Sequence, residues 1–414
     1  MNIVTTTQIT STQKLITIKK FGGATVSSPA KIKAVAQRIK KDSLHGESLV
    51  IVVSAMGKTT NNLIELANQV SSRPSQREMD MLLSVGERIS MSLLSMALLD
   101  QGLEAISFTG SQAGILTNSS HVDAKIIGVK PSRVLEELNK NKIVILAGFQ
   151  GVSPLSKEIT TLGRGGSDTS AVAIAASLQA TQCEILKEVP AIYTADPHVV
   201  PNAIPLQKLH YEELMEMTFW GAKVLHYRSA ELAARKNVKL YIGSAEISSS
   251  QGTWINSFKN KELQMIFQSD THQFETPKIL AINSFRDILR IKLKEESFHE
   301  NLTRLKNEFQ NKEIIFPQIL SIQSEHLITI TAPAETLEQI KKETFSFSIL
   351  DEQLSCVTLT CTGLLNFELQ EKIYSQLKNE HVPIVSSFCS SLSLVLILEK
   401  THLEKSIQSL HNLI

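Results

Sequence analysis

Hydrophobic positions follow two different rhythms along this chain. In the first half, short continuous apolar runs alternate with segments whose apolar residues recur every three or four positions. Leu15 to Lys20 reads as a strand, and Leu49 to Val53 is an unbroken apolar run of the kind expected of a parallel strand buried on both faces. Ile143 to Ala147, Cys183 to Leu186 and Lys239 to Ile242 read as further strands. Between them, Ser28-Pro29 opens a helix: serine can accept a first-turn N–H, and proline suits the first helical position. Ile32, Val35, Ala36 and Ile39 give that helix one apolar face. A long helical pattern runs from about Glu78 to Asp100 and stops at Gly102, and Ala171 to Leu178 is a small-residue helix. Repeated βα alternation predicts a three-layer αβα domain on a parallel-rich sheet, ending near Trp254.

The rhythm then changes. Ser257 to Pro277 is polar and aperiodic and reads as a linker. From Lys278 to Ile414 the pattern is βαββα twice, the ferredoxin-like arrangement. The first helix of one repeat carries Leu302, Leu305 and Phe309; that of the other carries Leu369, Ile373 and Leu377. The expected division is an extension at 1–13, an α/β domain at 14–256, a linker at 257–277, and α+β units at 278–352 and 353–414.

Composition narrows the function classes. A chain of 414 residues, 42% hydrophobic, exceeds what one core usually holds. With 42 basic and 41 acidic residues it lacks the electrostatic footprint of a nucleic-acid binder. Met1 to Gln13 is Thr-rich, has no apolar core of a secretory signal, and reads as a disordered extension. The longest apolar run, Leu49 to Met56, is shorter than the roughly 18 residues of a membrane helix, so no membrane association is expected. Cys183, Cys356, Cys361 and Cys389 form no C-x-x-C pair and lie in apolar runs, so burial as small hydrophobes and a reducing, cytoplasmic setting are expected, with no protein-held metal.

Five motifs carry candidate chemistry. Lys20-Phe21-Gly22-Gly23 closes the first strand; its glycines let backbone N–H groups approach a phosphate and Lys20 supplies charge, although an ordinary strand-to-helix turn reads the same way. Ser54 to Asn61 follows the second strand. Its Gly57-Lys58-Thr59 is not a Walker A loop, because that motif needs glycine where Val52 stands; its hydroxyls remain candidate substrate contacts. Leu162 to Thr169 sets Arg164 among Gly163, Gly165 and Gly166. Arg164 can clamp a carboxylate, and Ser167 or Asp168 can cap the following helix, whose free N–H groups face an anion. Tyr193 to Pro197 reads as a turn or as a nucleoside contact, and Lys223 as a solvated lysine or a phosphate ligand. Glu87, within the apolar run Leu82 to Leu94, is either a solvated face residue or an inward amine binder.

Taken together and in this order, these motifs resemble the aspartate kinases of the amino acid kinase family. The resemblance spans Lys14 to about Trp254 and rests on KFGG at Lys20–Gly23, VIVVSAMGKTTN at Val50–Asn61, LLSVGERIS at Leu82–Ser90 and TLGRGGSD at Thr161–Asp168. IYTADP at Ile192–Pro197 and GAKVLH at Gly221–His226 complete it, and the tandem tail resembles the ACT domains of that family. The resemblance implies an amino-acid-kinase-like αβα domain that phosphorylates L-aspartate from ATP with Mg2+. It implies that Lys20, Gly22, Gly23 and Asp168 hold the transferring phosphoryl group, with Ser54 lining the phosphate site. Thr60, Glu87, Arg164 and Ser167 would bind aspartate, Glu87 taking the α-amino group and Arg164 the α-carboxylate. Tyr193, Asp196 and Lys223 would contact ATP. A homodimer paired through the ACT-like units, and lysine or threonine as an effector there, are also implied.

Some positions depart from the family pattern. Ala24-Thr25 stands where Thr-Ser is usual, Lys187 to Ala191 where TDVDG is usual, and Tyr227 where proline is common. Glu295 to His299 occupies the place of the usual Gly-containing effector loop. The rival readings are another amino acid kinase, such as one acting on glutamate or acetylglutamate, and a sensor that has lost turnover through these substitutions.

Overall fold

The computed structural model describes residues 15–246, 252–256, 277–294, 297–312, 314 and 316–414. The expected extension at 1–13, all but the last residue of the expected linker at 257–277, and positions 295–296 of the departing loop lie outside them. Two compact units emerge. One is drawn from Met1–Ile192, Leu206–Tyr211 and Leu225–Ser257, the other from Tyr193–Pro205, Glu212–Val224 and Phe258–Ile414. Two segments inside the expected α/β domain at 14–256, Tyr193–Pro205 and Glu212–Val224, therefore group with the C-terminal half.

In the first unit, Ile16–Phe21 lies at the centre of an eight-stranded sheet. It pairs in parallel with Ser48–Val53 on one side and Gln182–Lys187 on the other. Ile143–Ala147 and Ala105–Phe108 extend the sheet in parallel one way, and Leu240–Ser244 the other. The order in which strands are added along the sheet reverses beside the first strand, and ligands of open α/β sheets bind outside the carboxyl ends of strands at such a point. Helix Pro29–Ser43 starts as the sequence predicts: Ser28 accepts from Lys31 N–H and Pro29 occupies the first turn. Its Ile32, Val35, Ala36 and Ile39 are all buried, together with Phe21, Val53, Leu94 and Leu98.

The long helix expected from Glu78 is two helices, Gln76–Leu83 and Val85–Leu99. The break falls at Ser84, whose carbonyl accepts from Gln150 Nε2 at 2.8 Å. A side chain inserted into the helical ladder is a common cause of such interruptions. By length and composition Gln76–Leu99 is apolar enough to cross a membrane, which no unbroken run in the sequence signalled. Half of its most apolar stretch is packed inside the protein, and it carries the buried carboxylates Asp80 and Glu87.

The second unit holds a six-stranded antiparallel sheet. Its order is Ile319–Ser324, Leu327–Thr331, Lys278–Lys292, Ser348–Thr362, Ser393–Glu399 and Ile384–Cys389. The two βαββα repeats share this sheet through the long central strands Lys278–Lys292 and Ser348–Thr362. Each repeat keeps its own core. Leu305 and Phe309 pack with Leu289, Ile328 and Ile340 in one, while Leu302 is only half-buried. Ile373 and Leu377 pack with Val357, Leu396 and Leu410 in the other, joined there by Ala195 and Val200. Helix Phe298–Asn311 begins with a reciprocal capping box between Ser297 and Glu300. Cys183, Cys356 and Cys361 are buried as expected, but Cys389 is exposed: strand Ile384–Cys389 is at the sheet edge and alternates its side chains toward solvent.

Leu94 is fully buried between its helix and the sheet. Leu94→Ala is expected to cost about 2–5 kcal/mol of unfolding free energy, measured by urea denaturation of the purified protein. A loss within the scatter of surface substitutions would show that the helix is not seated there.

Candidate active site

Alternation along Ile16–Phe21 sends neighbouring lysines to opposite faces of the sheet. Lys19 meets Glu184 at 2.7 Å and Asp42 at 3.0 Å, and Asp42 belongs to helix Pro29–Ser43. Lys20 meets Asp168 in the first turn of helix Gly166–Ser177, with Nζ 2.5 Å from Oδ1. Both Lys20 and Asp168 are 5% exposed. Lys187, at the end of the adjacent strand, brings its Nζ within 3.4 Å of the other Asp168 oxygen. Burial by itself would raise the Asp168 pKa, but the charges of Lys20 and Lys187 outweigh it and hold the group below the usual carboxylate range. Burial lowers the Lys187 pKa, and the charge of Lys20 adds to this against the opposing pull of Asp168.

The turn after Lys20 is tied to the loop after the second strand. Gly57 N–H donates to Gly23 O at 3.0 Å, and Ser54 N–H to Phe21 O at 3.2 Å. A Cβ at Gly23 would sit 2.7 Å from Ala55 O, so no larger residue fits without movement. Gly22 accepts at its carbonyl from both the backbone and the hydroxyl of Thr25, while Ala24 is exposed. Thr25 thus has a structural role in the turn. Ser54 is half-buried just past its strand, and Thr60 is half-buried in the first turn of helix Thr59–Val70.

Glu87 is no solvated face residue. It is 3% exposed, and its Oε1 accepts from Ala55 N–H at 3.0 Å. Its Oε2 is buried with no hydrogen-bond partner. Desolvation pushes its pKa up to about 7, against the Ala55 hydrogen bond and the charge of Lys20. A carboxylate in this state is stabilised by an arriving ammonium group.

Arg164 is exposed on a turn whose flanking glycines both take left-handed φ, 71° at Gly163 and 69° at Gly165. A Cβ at Gly165 would also lie 2.2 Å from the His226 Cβ. The helix N-cap is Gly165, not Ser167 or Asp168 as the sequence suggested, because Asp168 turns to the two lysines instead. Its first-turn N–H groups therefore have no side-chain cap, as an anion site requires. Ser167 is buried against Gly148, where a Cβ would come 2.8 Å from its own. The remaining candidates fall in the second unit. There Tyr193 is half-buried, Lys223 is exposed, and the exposed Asp196 accepts from the backbone and ring of His198, both at 3.0 Å.

Sequence reasoning missed Lys187 as a site residue, because it lay in a segment that read only as a departure. The available signal was a lysine at the carboxyl end of a buried strand. Lys19 and Asp80 were also missed, each being a charge inside a pattern otherwise read for its apolar residues.

Two cations surround one buried carboxylate at strand ends beside an uncapped helix start, an arrangement with the charge and free N–H groups to receive an anion. The chain belongs to the amino acid kinase family, whose model matches residues 16–244. It is 52% identical over 230 residues to the aspartokinase of Mycolicibacterium smegmatis, a match covering 56% of this chain and 55% of that protein. The chain thus spans about half the length of that relative. Aspartokinase of Geobacillus stearothermophilus is 34% identical over 400 residues, 96% of each chain. Among solved structures, E. coli aspartokinase III in complex with aspartate and ADP shares the fold, with a TM-score of 0.76 at 23% identity over 96% of this chain and 99% of that one.

The raised Glu87 pKa has a stability consequence. Relative to its ordinary value of 4.5, a folded-state pKa of about 7 gives a stabilising contribution that is full below 4.5 and lost as pH rises through 7. Glu87→Gln is expected to flatten the fall in urea midpoint across that window. An unchanged pH profile would place the titration elsewhere.

Proposed function

We propose that this chain is an ATP-dependent aspartate kinase that makes 4-phospho-L-aspartate. The observation that carries the reading is the buried cluster of Lys20, Asp168 and Lys187 with the desolvated Glu87 close enough to feel the Lys20 charge. Its relatives at full-length coverage are aspartokinases, which supports the choice of substrate.

The chemistry suits these groups. The β-carboxylate of aspartate is already a nucleophile at neutral pH, so catalysis rests on positioning and charge neutralisation. One carboxylate oxygen attacks the γ-phosphorus, the bond from that phosphorus to the bridging oxygen breaks, and ADP leaves with the electron pair. Lys20 and Lys187 neutralise the charge on the phosphoryl oxygens, and Asp168 holds both lysines in place. Backbone at Gly22 and Gly23, with Ser54, lines the phosphates. Glu87 takes the α-ammonium of aspartate on its unpartnered oxygen, Arg164 takes the α-carboxylate, and Thr60 and Ser167 complete the pocket. Tyr193, Asp196 and Lys223 contact the nucleotide. Magnesium would arrive carried by the ATP phosphates. That ion would supply further neutralisation of phosphate charge.

The α+β units at 278–352 and 353–414 form the regulatory half in this reading. They pair two chains as a homodimer in the cytoplasm and receive lysine or threonine if an effector acts.

The test is an aspartyl-hydroxamate assay with MgATP and L-aspartate. Product is expected with aspartate and not glutamate. Arg164→Ala is expected to raise the aspartate KM at least tenfold, as loss of a charged bidentate contact does, and Lys20→Met to lower kcat by about a hundredfold or more. No product from well-folded wild-type protein would overturn the reading in favour of a sensor.

A further inference from the structure

Asp80 is fully buried, yet it plays no part in the phosphate cluster. Its carboxylate is hydrogen-bonded to two chain segments remote in sequence. Its Oδ2 lies 2.5 Å from His121 Nδ1. Its Oδ1 accepts from Val122 N–H at 3.0 Å and from Thr161 Oγ1–H at 2.5 Å. Val122 has φ 64°, a left-handed conformation that a β-branched residue rarely adopts and that surrounding contacts must hold.

These two segments meet at the Arg164 turn. Ala124 N–H donates to Thr161 O at 2.9 Å. A Cβ at Gly163 would lie 2.9 Å from Asp123 Oδ1 and 3.1 Å from Val122 O. Arg228 closes the far side: its guanidinium donates to Asp123 Oδ1 at 2.8 Å, Leu162 O at 2.7 Å and Ala124 O at 2.9 Å. The backbone leading into Gly163-Arg164-Gly165 is therefore held between a buried carboxylate and a guanidinium, while the glycines themselves impose little restraint.

We propose that Asp80 is a positioning residue for the substrate-carboxylate clamp: by holding Val122 and Thr161 it sets the path of the Gly163–Gly165 turn and so the place of Arg164. This rests on the assignment of Arg164 to the α-carboxylate of aspartate. A residue that acts through Arg164 affects aspartate binding selectively, whereas a residue that only stabilises the fold does not separate the two substrates.

The experiment compares wild type with Asp80→Ala, Asp80→Asn and Thr161→Val in the full chain. Asp80→Ala removes three bonds; Asp80→Asn keeps an acceptor for Val122 and Thr161; Thr161→Val removes one. The aspartate KM is expected to rise roughly tenfold in Asp80→Ala and by less in the other two, with the MgATP KM moving less than about twofold. Amide hydrogen exchange over 118–124 and 161–166 is expected to quicken in the same order. It reads the positioning without turnover, and Thr161→Val serves if Asp80→Ala does not fold. Equal rises in both KM values, or unchanged exchange at 161–166, would overturn the inference. A wild-type enzyme with no aspartate turnover would instead count against the proposed function, and exchange alone would then decide the role of Asp80.

Discussion

The contact between Lys20 and Asp168 constrains everything around it. Neither charge is tolerable at 5% exposure without the other, and removing one partner of such a pair costs about 3–5 kcal/mol through the charge left behind. The pair therefore fixes the start of helix Gly166–Ser177 over the end of strand Ile16–Phe21, although 148 positions separate the two residues (168 minus 20). Lys187 joins from the neighbouring strand, leaving two cations on one anion. That surplus of positive charge, buried where burial disfavours it, is met by a phosphate in the proposed reaction.

The sheet separates this chemistry from structural support. Lys19, one residue away, points to the other face and satisfies Glu184 and Asp42. One face thus pins a helix to the sheet while the other presents Lys20 to Asp168. The same separation appears at the proposed substrate turn. Glycines at 163 and 165 give the turn its left-handed path, and buried polar anchors outside it, Asp80 and Arg228, hold its approach. Glycine permits a conformation without enforcing it, so such a turn needs external restraint.

In the C-terminal half, duplication is partial. Two βαββα repeats share one sheet, but each folds its helices over a separate apolar cluster. The second cluster takes in Ala195 and Val200, neighbours of Asp196, and the C-terminal helix reaches the same segment, where His411 Nε2 lies 2.8 Å from Thr194 Oγ1. The segment proposed to contact the nucleotide is thus built into the core of that repeat.

What the sequence determined by itself is whatever local periodicity and local backbone chemistry encode. The buried strands read from Leu49 to Val53 and Ile143 to Ala147, the Ser28-Pro29 helix start, the doubled βαββα pattern and the Gly-rich Arg164 turn all follow from neighbours within a few positions. Lys20, Glu87, Arg164 and Asp168 were legible as candidates because charged residues stood among glycines or inside apolar runs. Tertiary structure decided the rest, since burial and charge pairing depend on residues brought from elsewhere. Only folding turned Glu87 inward with one oxygen unpartnered, diverted Asp168 from capping its helix to meeting two lysines, and made Lys187 a third member of that cluster. It likewise broke the long helix at Ser84, where Gln150 reaches its carbonyl. These outcomes rest on desolvation and Coulomb energies between distant segments, which no local pattern records.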